Sequence, residues 1–292
     1  MRLLLTTSQS FMMLDTDTGA LHPLDRGHGL YYGIAQHDEK IYVAARHRLV
    51  SSDIAQEEER GEILIFNQAL QPCGTLRAPF PLRDIHEIAW HKGKLWVTCS
   101  FDNMIAIFDG EQWEQWYPLD RGTEDTGDVN HFNSFMFDDD HVWLLAHNRG
   151  ASELLAFTLK TRLLVHRIAI GNCGHNIWRE NGALFTCSSA EGKILGENGF
   201  LLETGGFPRG VARDSKTRCV GVSTLAERNA RDFTSGKLMI FTSDWELQKE
   251  IDLPEEGLIL DLVPLPAGFQ YGSNDSGNKK FSWPKLASIF SR

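Results

Sequence analysis

Residues 86–99 read HEIAWHKGKLWVTC, and residues 175–187 read HNIWRENGALFTC. Each is a short apolar run, a polar turn and a second apolar run, which is the signature of a β-hairpin. The turns carry Lys92-Gly93 and Asn181-Gly182, residue pairs suited to tight reversals. The pattern recurs outward from these two stretches. Residues 32–43 read YGIAQHDEKIYV, residues 133–145 read NSFMFDDDHVWLL and residues 209–223 read RGVARDSKTRCVGVS.

A third apolar run follows each hairpin, as in Gly61–Phe66, Met104–Phe108, Leu154–Phe157, Lys193–Leu195 and Gly236–Phe241. A fourth, more polar run comes next, as in Trp113–Tyr117, Leu163–Ile170 and Trp245–Leu253. Four strands graded from apolar to polar describe a propeller blade, with its inner strand first and its exposed edge last. A blade takes about 40–50 residues, so the 292 residues accommodate about six blades. No long segment keeps the apolar spacing of an amphipathic helix. A sandwich would not repeat in groups of four.

The expected fold is therefore an all-β, six-bladed β-propeller with four-stranded blades. Gly257–Val263 reads as an inner strand without its blade. Leu3–Thr7, Phe11–Leu14 and Leu21–Leu24 read as the missing outer strands. Joining both termini in one blade closes the ring and removes open sheet edges. The expected domain spans 1–272. The C-terminal tail, 273–292, lies outside the repeat, with a polar linker at Ser273–Lys280 and an aromatic, mildly basic end at Phe281–Phe290.

Composition narrows the function. Apolar residues make up 42% and the formal net charge is −10. An acidic chain lacks the basic face of a nucleic-acid binder. The N-terminal apolar run is too short for a secretory signal, and no stretch reaches the length of a membrane span. Five cysteines without a CxxC pair read as free thiols in a reducing compartment and exclude a cysteine zinc site. The expected location is the cytoplasm.

Superposing the hairpins on their turns aligns His86, Asn133, His175, Arg209, Glu256 and Tyr32 as the residues that open the inner strands. His131 and His28 lie shortly before two of them. Two positions on, the residues are apolar: Ile34, Ile88, Phe135, Ile177, Val211 and Leu258. Inner strands line a propeller's axis, so a polar collar is expected above a dry floor, the form of a small-molecule site.

Three uses suit that collar. His86, His131 and His175 are candidate ligands of a divalent metal (iron, zinc, copper or manganese), with Glu256 as fourth ligand or base. Alternatively, His86 and Glu256 act as acid and base while Arg209 clamps an anion. The third use is ligand binding alone. Asn133, Tyr32 and His28 are the remaining substrate-binding candidates. Asp84 and Glu87 read equally as residues that orient His86 and as solvent-exposed rim residues, and Asp128 belongs to a loop whose Asp and Asn suit either ligands or an ordinary turn. His147, at the end of an outer strand, reads as ordinary.

The runs Asp84–Trp90 with Lys94-Leu95-Trp96, Asn130–Ser134, Gly174-His175-Asn176 with Trp178, Arg209–Ala212, and Gly221–Leu225 with Glu227 resemble, in order, the landmarks of an uncharacterised bacterial β-propeller family. The resemblance covers roughly residues 80–265. It implies a propeller with a polar collar and no particular reaction. In this sequence the segment between His175 and the following tryptophan is one residue shorter than in the family. Gluconolactonase-type propellers hold a divalent cation with Glu, two Asn and Asp from separate blades. Here Glu256 and Asn133 match that set, but histidine and arginine stand elsewhere, so that activity is not transferred.

The functional expectation is a site that binds and transforms a small polar or anionic molecule at the channel mouth, metal-assisted through histidines. It would be a hydrolase, lyase or oxygenase. The alternative is a non-catalytic scaffold for a protein partner, which predicts an exposed apolar patch around Trp113, Trp116 and Tyr117.

Overall fold

The computed structural model describes residues 1–119 and 127–269. The expected tail lies outside the described residues. Six four-stranded antiparallel sheets form the described chain, and each is one blade of a propeller. Blade I combines Ile259–Pro264 as inner strand with Arg2–Thr7, Ser10–Asp15 and Leu21–Arg26. The ring is thus closed by strands from both ends of the chain, as the repeat implied. The inner strands of blades II to VI are Tyr31–His37, Ile85–His91, Phe132–Phe137, Gly174–Glu180 and Phe207–Arg213. Among the described residues no helix is long and apolar enough to cross a membrane.

The inner hairpins turn as their sequences demand. Asp38-Glu39, Lys92-Gly93 and Asn181-Gly182 all have positive φ at both central positions, which matches the right-handed twist of the flanking strands. Burial explains the polarity gradient within a blade. The first three strands face neighbouring blades on both sides and are largely buried, whereas the outer strand Pro72–Leu76 is mostly exposed. Six hydrophobic clusters fill the six blade interfaces, one between each neighbouring pair. Burial of that apolar surface is the main force holding the ring together.

Each inner strand is broken by a β-bulge at the same level. The residues there are Tyr32-Gly33, His86-Glu87, Asn133, Asn176, Arg209-Gly210 and Leu260. A bulge re-aims side chains out of the ladder. In blade III the Oγ1 of Thr98 fills the gap, accepting from the backbone N–H groups of His86 and Glu87 at 3.1 and 2.9 Å.

At or just after each bulge, one residue clasps the next blade. Asp261 Oδ2 accepts from Ile34 N at 2.9 Å, joining blade I to II. Ser134 Oγ accepts from Asn176 N at 2.9 Å, and Asn176 Oδ1 accepts from Gly210 N at 2.7 Å. Glu87 accepts from Phe135 N. At the other two junctions the residue is glycine, and the backbones touch. A Cβ on Gly33 would lie 2.5 Å from Ile88 N, and one on Gly210 would lie 3.1 Å from Leu262 N. So every junction is made at one level, by a polar side chain or by the absence of one.

Candidate functional site

The inner strands start at the mouth of the axial channel. Antiparallel pairing brings the ends of the second strands to the same place: Phe132 pairs with Ala146, and Tyr31 with Ala45. The mouth is therefore built from two sets of residues, and the hairpin alignment found one. The second set contributes Arg46 and His147, each directly after a second strand.

A cavity of about 260 Å³ opens at this end. Its walls include Tyr32, Asp84, His86, Asp128, His131 and His147, together with Arg209. Loops from blades II and VI overhang it, bringing Arg48, Arg228 and Arg231. These loops are tied together: the buried carboxylate of Asp232 accepts from Val50 N at 3.1 Å and Ser51 N at 2.7 Å. A smaller chamber of about 10 Å³ lies on the same axis, between Glu87, Asn133, Asn176 and Asp261 among others.

Four histidines converge. Ring centroids are 4.5 Å apart for His86–His131, 4.8 Å for His131–His147 and 5.1 Å for His147–His175. Burial depresses the pKa of His86 to about 3, although Asp84 opposes the shift, and that of His147 to about 2. His175 is lowered as well, by burial and by Arg209. These three are neutral imidazoles near pH 7. That is the form that ligates metal, and it is a poor proton acceptor.

Asp84 anchors the acidic side. It precedes His86 by two residues, in left-handed backbone (φ 55°), as His131 does before Asn133 (φ 51°). Its carboxylate faces His86 Nε2 at 3.1 Å and His131 Nδ1 at 3.8 Å. Burial alone would raise its pKa, but Arg46 and the histidines hold it well below the usual range. Arg46 is buried between Asp84 and Glu59, bonding Glu59 through Nε at 2.8 Å and Nη2 at 2.6 Å. Asp128 accepts from His131 Nδ1 at 2.6 Å and from Arg149 Nη2 at 2.6 Å. The donor atoms of Asp84, His86 and His131 all lie within 4.8 Å of one another, close enough to share one metal ion. Two imidazoles and a carboxylate are a donor set suited to a divalent transition metal.

His175 stands apart from that trio. Ser189 Oγ donates to the Pro208 carbonyl at 2.6 Å, so it accepts from His175 Nδ1 at 2.8 Å. The proton is then on Nδ1, and the Nε2 lone pair accepts a bond from Arg209 Nη2. A lone pair committed to a guanidinium is not free for metal, so Asp84 stands where the sequence alignment put His175. Arg209 itself is buried, and among the described residues its Nε and Nη1 have no hydrogen-bond partner. The rings of Phe207 and Tyr32 lie 5.4 and 5.8 Å from its guanidinium carbon.

The other expected collar residues divide. Tyr32 is buried, edge-on to His86 at 4.6 Å. Asn133 is buried beside the small chamber and donates to Gly174 O at 2.8 Å, and its Oδ1 has no partner among the described residues. Glu256 is not on the collar. It accepts from Ser10 Oγ at 2.7 Å and from Arg26, and the blade I bulge falls at Leu260 instead. His28 faces His47 and Glu62 rather than the mouth. Trp113, Trp116 and Tyr117, where the scaffold alternative looked for a patch, are unequal: Trp116 is buried against Phe157 under the Arg162 guanidinium, Trp113 is half-buried and Tyr117 is well exposed.

No protein-family model and no curated protein matches the sequence, so the resemblance to an uncharacterised family rests on the motifs alone. Solved structures give the fold. The chain is similar to one in a nidogen/laminin complex, at 12% identity over 90% of this chain and 97% of that one, with a TM-score of 0.64. It is also similar to a streptogramin B lyase, at 15% identity over 77% of this chain and 84% of that one, with a TM-score of 0.50. At such identity the likeness extends to the propeller alone.

Proposed function

We propose that the channel mouth binds a small anionic molecule on Arg209 and acts on it beside a divalent metal held by Asp84, His86 and His131. The observation that carries this reading is the Arg209 guanidinium, buried at the cavity wall with two nitrogens unpaired among the described residues. Leaving buried donors unmet costs about 1–3 kcal/mol each, and a carboxylate or phosphate oxygen is the acceptor they lack. Arg48, Arg228 and Arg231 add positive charge around the opening and would draw anions in.

The donor set favours an enzyme over a passive binder, because an anion receptor has no need of Asp84, His86 and His131 in ligand range. A bound divalent ion would polarise a substrate oxygen or activate water, the chemistry of a hydrolase or lyase. Asp128, held in turn by Arg149, would orient His131 through Nδ1 and leave Nε2 to the metal. Acid–base catalysis by the buried histidines alone is disfavoured, since a base held near pKa 2–3 is mismatched to neutral pH.

Oxalate, a compact dianion, tests this by isothermal titration in the presence of manganese. The wild type binds it, and Arg209→Met weakens binding at least ~10-fold, the value of one charge-assisted contact. Equal binding by both proteins removes Arg209 from the site and overturns the reading.

A further inference from the structure

A second cluster of metal-ligating side chains lies where blade I passes into blade II, outside the mouth cavity. His28 sits in the connection between Leu21–Arg26 and Tyr31–His37, while His47 and Glu62 flank the loop joining the second and third strands of blade II. His47 Nε2 is 2.5 Å from Glu62 Oε1, and His28 Nδ1 is 3.8 Å from the same oxygen. All three donor atoms lie within 4.8 Å of one another. We propose that His28, His47 and Glu62 form a structural zinc site that clamps the ring at its closing blade.

Three features beyond proximity support it. A tetrahedral zinc about 2.0–2.1 Å from each ligand sets the ligands about 3.3 Å apart, and the two separations bracket that value. Among the described residues His28 Nδ1 is buried with no hydrogen-bond partner, while the opposite nitrogen, Nε2, faces Asp25 Oδ2 at 3.6 Å. A carboxylate behind the far nitrogen of a histidine places the proton there and the lone pair toward the metal. Asp25 is itself held by the buried Tyr31, whose hydroxyl donates to Oδ2 at 2.7 Å. Finally, Arg77 pairs with Glu62 Oε2 at 2.6 Å, which leaves Oε1 as the ligating oxygen. Water would complete the fourth position.

The site rests on none of the mouth residues, so the two readings fail separately. The test is equilibrium dialysis of the full chain against zinc, with metal counted by elemental analysis. The wild type, His28→Ala, His47→Ala and the mouth double variant His86→Ala/His131→Ala are compared, with circular dichroism confirming folding. The proposal expects the mouth variant to keep one zinc that both rim variants lose, with at least a tenfold weaker affinity. Glu62→Gln serves as a third rim variant should either alanine protein misfold. Zinc should also raise the melting temperature of the mouth variant and leave that of His28→Ala unmoved. Loss of all zinc from the mouth variant, wild-type zinc binding by the rim variants, or no zinc on the wild type would each overturn it. Equal zinc on the wild type and the mouth variant would instead sink the mouth metal and leave the rim site standing.

Discussion

Nε2 of His175 accepts a hydrogen bond from Nη2 of Arg209, and this pairing sets the division of labour at the mouth. It takes His175 out of the metal set and places the guanidinium at the cavity wall with Nε and Nη1 unmet among the described residues. A buried, half-satisfied cation is a liability to the fold, tolerated where function needs it. Arg209→Met should therefore leave the melting temperature unchanged or raise it, while abolishing tight anion binding. A fall of many degrees, measured by calorimetry, would mean that Arg209 serves the fold instead.

The blade junctions make a second prediction. Gly33→Ala drives a Cβ to 2.5 Å from the Ile88 nitrogen, a backbone atom that cannot step aside. Overpacking of this kind costs about 1–3 kcal/mol. Gly93→Ala, in an open turn with φ 74°, meets nothing within 4 Å and suffers only its own backbone strain. Denaturant unfolding should rank Gly33→Ala as the more damaging change, and the reverse order would contradict the account of the clasps.

A third prediction concerns pH. Burial lifts the pKa of Asp261 to about 7, well above its unfolded value, while Glu87 faces it across the small chamber. The native state thus holds a proton that the unfolded chain releases between about pH 4 and 7. Asp261 therefore favours folding at the acid end of that window and loses this contribution as pH rises through 7, by at most ~1.4 kcal/mol per pH unit. Buried histidines act in the opposite sense below pH 6.5, so the wild-type curve alone does not isolate the effect. The difference between wild type and Asp261→Asn does: the variant should gain on the wild type as pH rises toward 7, then level off. Parallel melting curves across that range would refute it.

The sequence made the blades legible because a hairpin repeat carries its own register: Lys92-Gly93 and Asn181-Gly182 pin each inner strand to its neighbour. The same logic misplaced Glu256. Blade I has no such turn, because its inner strand pairs with the N-terminal strand across the closure, and nothing local fixes the level of Leu260 and Asp261. His147 was missed for a related reason. The starts of the inner strands do not reveal it, because antiparallel pairing brings the ends of second strands to the same mouth. Gly33 and Gly210 showed nothing in sequence, since their role is a contact with a neighbouring blade.

A fourth prediction follows from the carboxylate that gathers the histidines. Asp84→Asn keeps the size of the side chain and halves its accepting power, while Arg46 and Glu59 stay in place. Manganese affinity at the mouth should fall at least ~10-fold, and oxalate binding should weaken with it. If oxalate binding held while manganese was lost, anion and metal would be independent, and the site would be a receptor.

The central claim is a metal between Asp84, His86 and His131, and anomalous diffraction from crystals grown with manganese locates it directly. The account predicts a peak within bonding distance of the Asp84 carboxylate and of the His86 and His131 rings. A map with no peak at the mouth, from crystals whose protein is fully folded, would contradict it.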